Sequence, residues 1–208
     1  MATSKLLLYR NSLMILKERA IGTALTDDEA VRHAFDVIYD ETCAWSLEQG
    51  LWNFATRTLA IDSSTDVTPE FGFSYAFDKP SDYVRTVKVS ADERFFFPLE
   101  DYHDEGAYIL ADCDPLYLRY VSNGVTYGLD LSLWPQTFAR AVAYELAFRV
   151  APSLTGMSEG GMERLEMRKD KALRDARSKD AMNQANERPP PGRLSRARSG
   201  GARWRERR

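Results

Sequence analysis

The stretch VRHAFDVIYDETCAWSLEQGLWNFATRTLAI, residues 31–61, changes its period partway along, and that change decides the fold class. In its first half Val31, Ala34, Phe35, Ile38, Thr42 and Trp45 recur every three or four positions, which places them on one face of a helix. Thr26-Asp-Asp-Glu29 upstream reads as a capping box, with Thr26 as N-cap and Glu29 at the third helical position. Gly50 reads as the αL-compatible stop. From Leu51 to Ile61 the period falls to two, with Trp52, Phe54, Thr56 and Thr58 alternating as in a strand. A long helix that hands over directly to a strand calls for helices and sheet in one fold.

Working outward, residues 5–20 read as a first helix carrying Leu6, Leu7, Met14, Ile15 and Leu16, with Gly22 after its last turn. Beyond Ile61, residues 62–70 are polar loop, and Phe71 to Phe77 is aromatic at alternate positions. Pro80-Ser-Asp82 starts a tight turn or a single helical turn. Thr86–Ser90, Phe95–Leu99, Tyr108–Ala111 and Leu116–Val121 read as short strands. Asp112-Cys-Asp-Pro115 and Ser122-Asn-Gly124 supply the turns, and Asn-Gly favours a two-residue hairpin. Short strands in chain order suggest an antiparallel meander. Helicity returns at Trp134-Pro135, where Phe138, Ala141, Val142, Leu146 and Val150 form a stripe ending near Pro152. A fourth helix is expected over 158–186. Twelve of the eighteen residues from Glu163 to Asp180 are charged, leaving Met162, Leu165, Ala172, Leu173 and Ala176 to face a core. Asp170–Arg174 and Asp175–Lys179 are favourable four-residue pairs. Pro189-Pro-Pro-Gly192 ends it.

The expected fold is therefore α+β: a bundle of about four helices with an inserted antiparallel β-meander and an extended C-terminal arm. Residues 1–50 and 130–187 form the bundle, 51–129 the β-rich insertion, and 188–208 a basic tail.

The chain has 208 residues, 44% of them hydrophobic, enough for a sizeable core. No apolar run approaches the roughly 20 residues of a membrane span. The N-terminal apolar block is too broken for a signal-peptide core, so an intracellular protein is expected. Cys43 and Cys113 stand far apart without a partner motif, which excludes a disulfide framework or a cysteine zinc site as organising feature. The net charge of −3 hides a division. Residues 188–208 carry eight Arg against Glu206, a net +7, whereas the other 187 residues carry 20 bases and 30 acids, a net −10. Such asymmetry marks an interaction tail on a domain with a different task.

Catalytic chemistry is poorly represented. Nucleophilic catalysis needs a base beside the nucleophile, usually His, and only His33 and His103 exist. His33 stands one position off the apolar stripe and reads as a boundary or surface residue. No nucleophile elbow, phosphate loop or dinucleotide fingerprint is found. Asp101-Tyr-His103-Asp104-Glu105 is the one polar cluster. Consecutive residues point in several directions and lack ligand spacing, so a solvated hairpin loop ending at Gly106 is the better reading. Asp112 and Asp114 read as turn residues. No catalytic residue, metal or cofactor is expected. In the tail, Arg193, Arg196, Arg198, Arg203 and Arg205 with Leu194 and Trp204 suit a protein partner, since Arg and Trp anchor interfaces. They also suit phosphates and bases.

Several segments, in order, resemble the tail tubular protein A, or portal-adaptor, family of short-tailed bacteriophages. They are an opening helix ending in Ala20-Ile-Gly22 and a long helix running into Gly50-Leu-Trp-Asn-Phe54, similar to the family's Gly-x-Trp-x-Phe. Next come Phe73-Ser-Tyr-Ala-Phe77 and Lys79-Pro-Ser-Asp-Tyr-Val-Arg85, similar to an aromatic-Ala-aromatic stretch leading to Leu-Pro-x-Asp-x-x-Arg. Ile109-Leu-Ala-Asp112, Leu116-Tyr-Leu-Arg-Tyr120 and Phe138-Ala-Arg-Ala-Val-Ala-Tyr-Glu-Leu-Ala147 complete the series. Lys79 departs from the family's apolar residue, and the tail is unusually rich in Arg.

The resemblance implies a non-enzymatic virion protein at the head–tail junction, made in the host cytoplasm. It would be a homo-oligomeric ring, commonly of twelve copies, docked on the portal protein and bearing the tail nozzle protein. Double-stranded DNA would pass the lumen without sequence-specific binding, no membrane would be involved, and the tail residues Arg193, Leu194, Arg196, Arg198, Arg203, Trp204 and Arg205 would meet the portal. Two other classes stand beside it: a nucleic-acid-binding accessory protein acting through the tail, and a cell-wall hydrolase using Asp101–Glu105.

Overall fold

The computed structural model describes residues 3–16, 30–96 and 98–184. The capping box Thr26–Glu29 and the whole basic tail lie outside the described residues. The described part is mixed α+β. Its elements are α1 (Lys5–Leu16), α2 (Ala30–Glu48), β1 (Thr56–Ile61), β2 (Tyr75–Asp78), β3 (Tyr83–Ser90), β4 (His103–Glu105), β5 (Tyr108–Ala111), β6 (Leu116–Ser122), α3 (Gln136–Leu154) and α4 (Glu159–Ala181). None of these helices is long and apolar enough to cross a membrane.

Helix α3 is central, and α1, α2 and α4 each pack against it. The whole expected stripe, Phe138, Ala141, Val142, Leu146 and Val150, is buried. Pro152 does not end the helix; α3 continues to Leu154 before Thr155 closes it by donating to the Ala151 carbonyl. On α4, Leu165, Ala172 and Ala176 are buried as expected. The two predicted ion pairs are not formed: Arg174 donates instead to the Asp170 carbonyl. α4 is tied at its far end by Asp180, whose carboxylate accepts the Asn53 backbone N–H at 3.0 Å.

On α2 the buried face is rotated from the expected one, and α1 buries a face that its apolar content alone leaves unspecified. On α1, Leu8, Tyr9, Ser12, Leu13 and Leu16 are buried, while Leu7 and Met14 are exposed. On α2 the most buried residues are Phe35, Thr42, Cys43, Ser46 and Leu47. Hydroxyls enter the core fully bonded: Ser12 donates to the Leu8 and Ala143 carbonyls, and Thr42 and Ser46 donate to the Ile38 and Thr42 carbonyls one turn back. Apolar periodicity does not register Ser12 and Ser46, whereas Thr42 stands in the expected stripe.

The strands form two antiparallel three-stranded sheets, ordered β1-β6-β3 and β2-β5-β4. Their order departs from a chain-sequential meander, because only β4 and β5 are neighbours both in the chain and in a sheet. Asn123-Gly124 makes no hairpin. Gly124 instead starts a run of turns, its carbonyl accepting from Tyr127 and Leu129 N–H, that leads to α3. Phe95–Leu99 is not a strand either. Phe95 sits at φ 55° in the left-handed region, which breaks extension, and among the described residues of this stretch the contact with β3 is a single bridge from Pro98 to Ser90 and a bond from the Leu99 N–H to the Val89 carbonyl. The two sheets share a core of Phe77, Val89, Ile109, Ala111, Leu116, Leu118 and Tyr120. The first sheet also contributes Val121, with Val84 and Val87, to the helical core.

The helix-to-sheet handover is an aromatic knot. Trp52 and Phe54 lie at a 3-10 turn (Asn53–Ala55) just before β1, not within the strand. Both rings meet Phe138 of α3, at centroid distances of 4.7 and 4.8 Å, and Trp134 meets the same ring at 4.8 Å. The indole N–H of Trp52 donates to the Ser46 carbonyl and that of Trp134 to the Gly128 carbonyl. Two glycines serve this knot by their lack of a side chain. A Cβ on Gly50 would come within 2.9 Å of the Trp52 ring, and one on Gly128 within 2.1 Å of the Ser122 carbonyl oxygen. Gly50 is thus required for space, not for the left-handed conformation expected, since it has no positive φ.

Trp52→Ala is expected to cost about 3–5 kcal/mol of stability, the range for a fully buried aromatic. Thermal and denaturant melts check this; a soluble variant with an unchanged Tm would remove Trp52 from the core it is assigned to.

Candidate functional site

Of the residues singled out in the sequence, the seven in the tail, Arg193, Leu194, Arg196, Arg198, Arg203, Trp204 and Arg205, lie outside the described residues. His33 is exposed on α2, as expected. The Asp101–Glu105 cluster is not a loop. His103–Glu105 forms the edge strand β4, which turns at Gly106, φ 54°, into β5. Among the described residues no group of three His, Cys, Asp or Glu side chains could hold a metal. Asp104 is taken up by Lys79, whose ammonium sits 2.5 Å from Oδ1 and also donates to the Gly106 carbonyl. Tyr83 donates to the other oxygen of Asp104 at 3.0 Å. Lys79, the residue that departs from the resembled pattern, therefore joins the β2–β3 connection to the β4–β5 hairpin. Asp112 and Asp114 are turn residues with longer reach. They accept the backbone N–H of Ser74 and of Ser63 respectively, and clamp the 62–74 loop onto the β5–β6 turn.

The densest polar network in the β-rich part surrounds Asp82. Its Oδ1 accepts from Tyr120 at 2.8 Å, and its Oδ2 from Ser122 at 2.5 Å and Arg57 at 3.1 Å. Its backbone carbonyl accepts the Asn123 N–H. Arg57 comes from β1, Tyr120 and Ser122 from β6, and Asp82 from the turn that opens β3. One carboxylate thus fixes three neighbouring strands at one end of the sheet. Burial raises the Asp82 pKa, but the hydrogen bonds from Ser122, Tyr120 and Arg57 outweigh it and leave the carboxyl below its ordinary value. Arg85, three residues on, donates to the Glu48 carbonyl, one of the acceptors left over at the end of α2. Both carboxylate oxygens are taken up by groups from neighbouring strands, a geometry that suits a clamp.

A second feature was not legible as a site. Between α1 and α4 the outer side of α3 stays open as a groove with two adjoining parts, of about 570 and 560 Å³. Arg140, Tyr144 and Arg168 line both parts. The α1 wall is apolar, with Leu7, Met14 and Ile15, and Met14 is 71% exposed. The α4 wall is basic, adding Lys171 and Lys179 with Asp175 as the one carboxylate. Among the described residues none of Arg140, Arg168, Lys171 and Lys179 forms an ion pair. The sequence holds a trace of this wall: 168, 171, 175 and 179 are three to four residues apart, so they share a helix face.

No family model matches the chain, and no curated protein matches it.

Replacing Asp82 by Asn removes the charge that Arg57, Tyr120 and Ser122 hold. The expected cost at pH 7 is about 1.5–3 kcal/mol, the range for hydrogen bonds to a charged group. Because the folded pKa is depressed, this stabilisation is complete above the unfolded-state value of about 4 and is lost as pH falls through the lower folded value. The Tm gap between wild type and Asp82→Asn should therefore narrow only below about pH 4. A gap that stays constant from pH 7 to 3 would contradict it.

Proposed function

We propose that the chain is a virion structural protein, the head-to-tail adaptor of a short-tailed phage. Copies would form a ring that docks on the portal, extends the DNA channel and provides the platform for the tail. Residues 1–50 and 130–187 would form its helical body, 51–129 its β-rich module and 188–208 its portal-binding arm.

The observation that carries this reading is how the segments of the resemblance meet in the fold. Gly50-Leu-Trp-Asn-Phe54 and the Phe138–Ala147 helix are far apart in sequence and join at Phe138 through Trp52 and Phe54. Lys79-Pro-Ser-Asp-Tyr-Val-Arg85 and Leu116–Tyr120 join through Asp82 and Tyr120, and through the stacked rings of Tyr83 and Tyr120. That segments distant in the chain meet at two junctions supports reading them as parts of one pattern. The hydrolase reading would need Asp104 to work while engaged by Lys79 and Tyr83. An acidic body around a lumen would pass DNA without gripping it.

The test is truncation after Glu187. The shortened protein should keep its Tm and lose attachment to the purified cognate portal in sedimentation or electron microscopy. Normal attachment, together with loss of DNA retention, would assign the tail to nucleic acid instead.

A further inference from the structure

We infer that the open groove between α1 and α4 is the socket for the outer face of α2 from a second copy of this chain. The inference deepens the ring reading above and rests on it for the expectation that copies meet side to side.

The groove runs along α3 between two of the three helices that pack on it, with Arg140 exposed and Tyr144 half-buried where its two parts meet. An apolar wall facing a basic wall selects a helix that presents apolar residues with carboxylates beside them. The exposed ridge of α2 has that composition. Val37, 82% exposed, opens it, and Asp40, Glu41 and Glu48, all exposed, follow at helical spacing with the half-buried Ala44 between them. Among the described residues Asp40 and Glu48 form no ion pair, and Glu41 pairs with Arg149. Four cations against one carboxylate on the groove side thus meet three carboxylates interspersed with Val37 and Ala44 on the α2 side.

The two surfaces point in opposite directions, which is what a ring requires. Arg140 lines the groove, and Arg149 reaches α2 through Glu41. They are nine residues apart on α3, about two and a half turns, hence on opposite sides of the helix. A contact between unlike surfaces on opposite sides is heterologous, so every copy offers one socket and one ridge, and repetition closes a ring when the rotation permits. The like-charged alternatives, ridge to ridge or groove to groove, are disfavoured by repulsion.

Charge reversal in the full chain tests this by sedimentation velocity. Arg168→Glu with Lys171→Glu alters the socket, and Asp40→Lys with Glu48→Lys alters the ridge; all four positions are exposed. Each double variant should keep the wild-type Tm and weaken self-association by about tenfold or more, while the quadruple variant, complementary again with signs exchanged, should recover it. Self-association indifferent to both double variants, or lost without recovery in the quadruple, overturns the inference. So does a wild-type protein that stays monomeric up to about 100 μM. A socket variant that loses retention of a short duplex DNA, with self-association intact, overturns it too and gives the groove to a phosphate backbone. Portal attachment is read separately by the Glu187 truncation, so either reading can fail alone.

Discussion

The contact on which the rest depends is the meeting of three aromatic rings on Phe138. Trp52, Phe54 and Trp134 approach it from the end of the α2 connection and from the entrance to α3, so one side chain of the central helix holds both ends of the β-rich part. Edge-to-face and tilted geometry adds to the burial of four large rings. Both indoles spend their N–H on backbone carbonyls, which lets two tryptophans be buried with no polar group left over. Gly50 and Gly128 are set by this knot, since any side chain there would occupy space already taken by a ring or a carbonyl.

With that junction fixed, the β-rich part needs only local devices. Asp82 ties β1, β6 and the start of β3 together at the end of the sheet near the helices. Lys79 ties the second sheet through Asp104 and Gly106. The two devices sit within four residues of one turn. Their energetic characters differ. Asp82 is largely shielded and bonded at both oxygens, whereas Asp104 is 43% exposed, so its pair with Lys79 is weakened by solvent screening. The first sheet is accordingly the firmer platform, and the second is its more exposed outer layer.

How much of this was legible follows from what periodicity measures. The α3 stripe and the few apolar residues of α4 were readable because apolar side chains alone mark their buried faces. The buried α2 face is turned from the apolar stripe toward Cys43, Ser46 and Leu47; Ser46, like Ser12 on α1, is buried with its hydroxyl bonded to a carbonyl, which an apolar pattern counts as solvent. β5 and β6 were found nearly to the residue. Their assignment to different sheets was not, because pairing is non-local and Asn123-Gly124 offered a hairpin that the Gly128 and Trp134 packing overrides. His103–Glu105 reads as loop because a fully exposed edge strand carries no alternation. Asp82 was visible as a turn residue and in the resembled segment. Its partners Arg57 and Ser122 are 25 and 40 positions away, beyond any local signal.

The charge division of the chain takes a different meaning once the fold is known. Counted along the sequence, the body is acidic and the tail basic, and α4 looks like a solvated helix. In the fold, one flank of α4 is consumed by α3 and by Asn53, and Lys169 is drawn toward the buried Glu145. What remains is a flank in which Arg168, Lys171 and Lys179 face the same groove. An acidic body can thus carry a basic surface without a basic segment, because helical spacing gathers cations from one side and leaves their carboxylate neighbours on another. Such a surface is screened over roughly 8–10 Å at physiological salt, so it acts at contact and not at long range. It selects register and partner more than it supplies affinity, and the apolar wall of Leu7, Met14 and Ile15 is where most of the binding free energy of an occupied groove must arise.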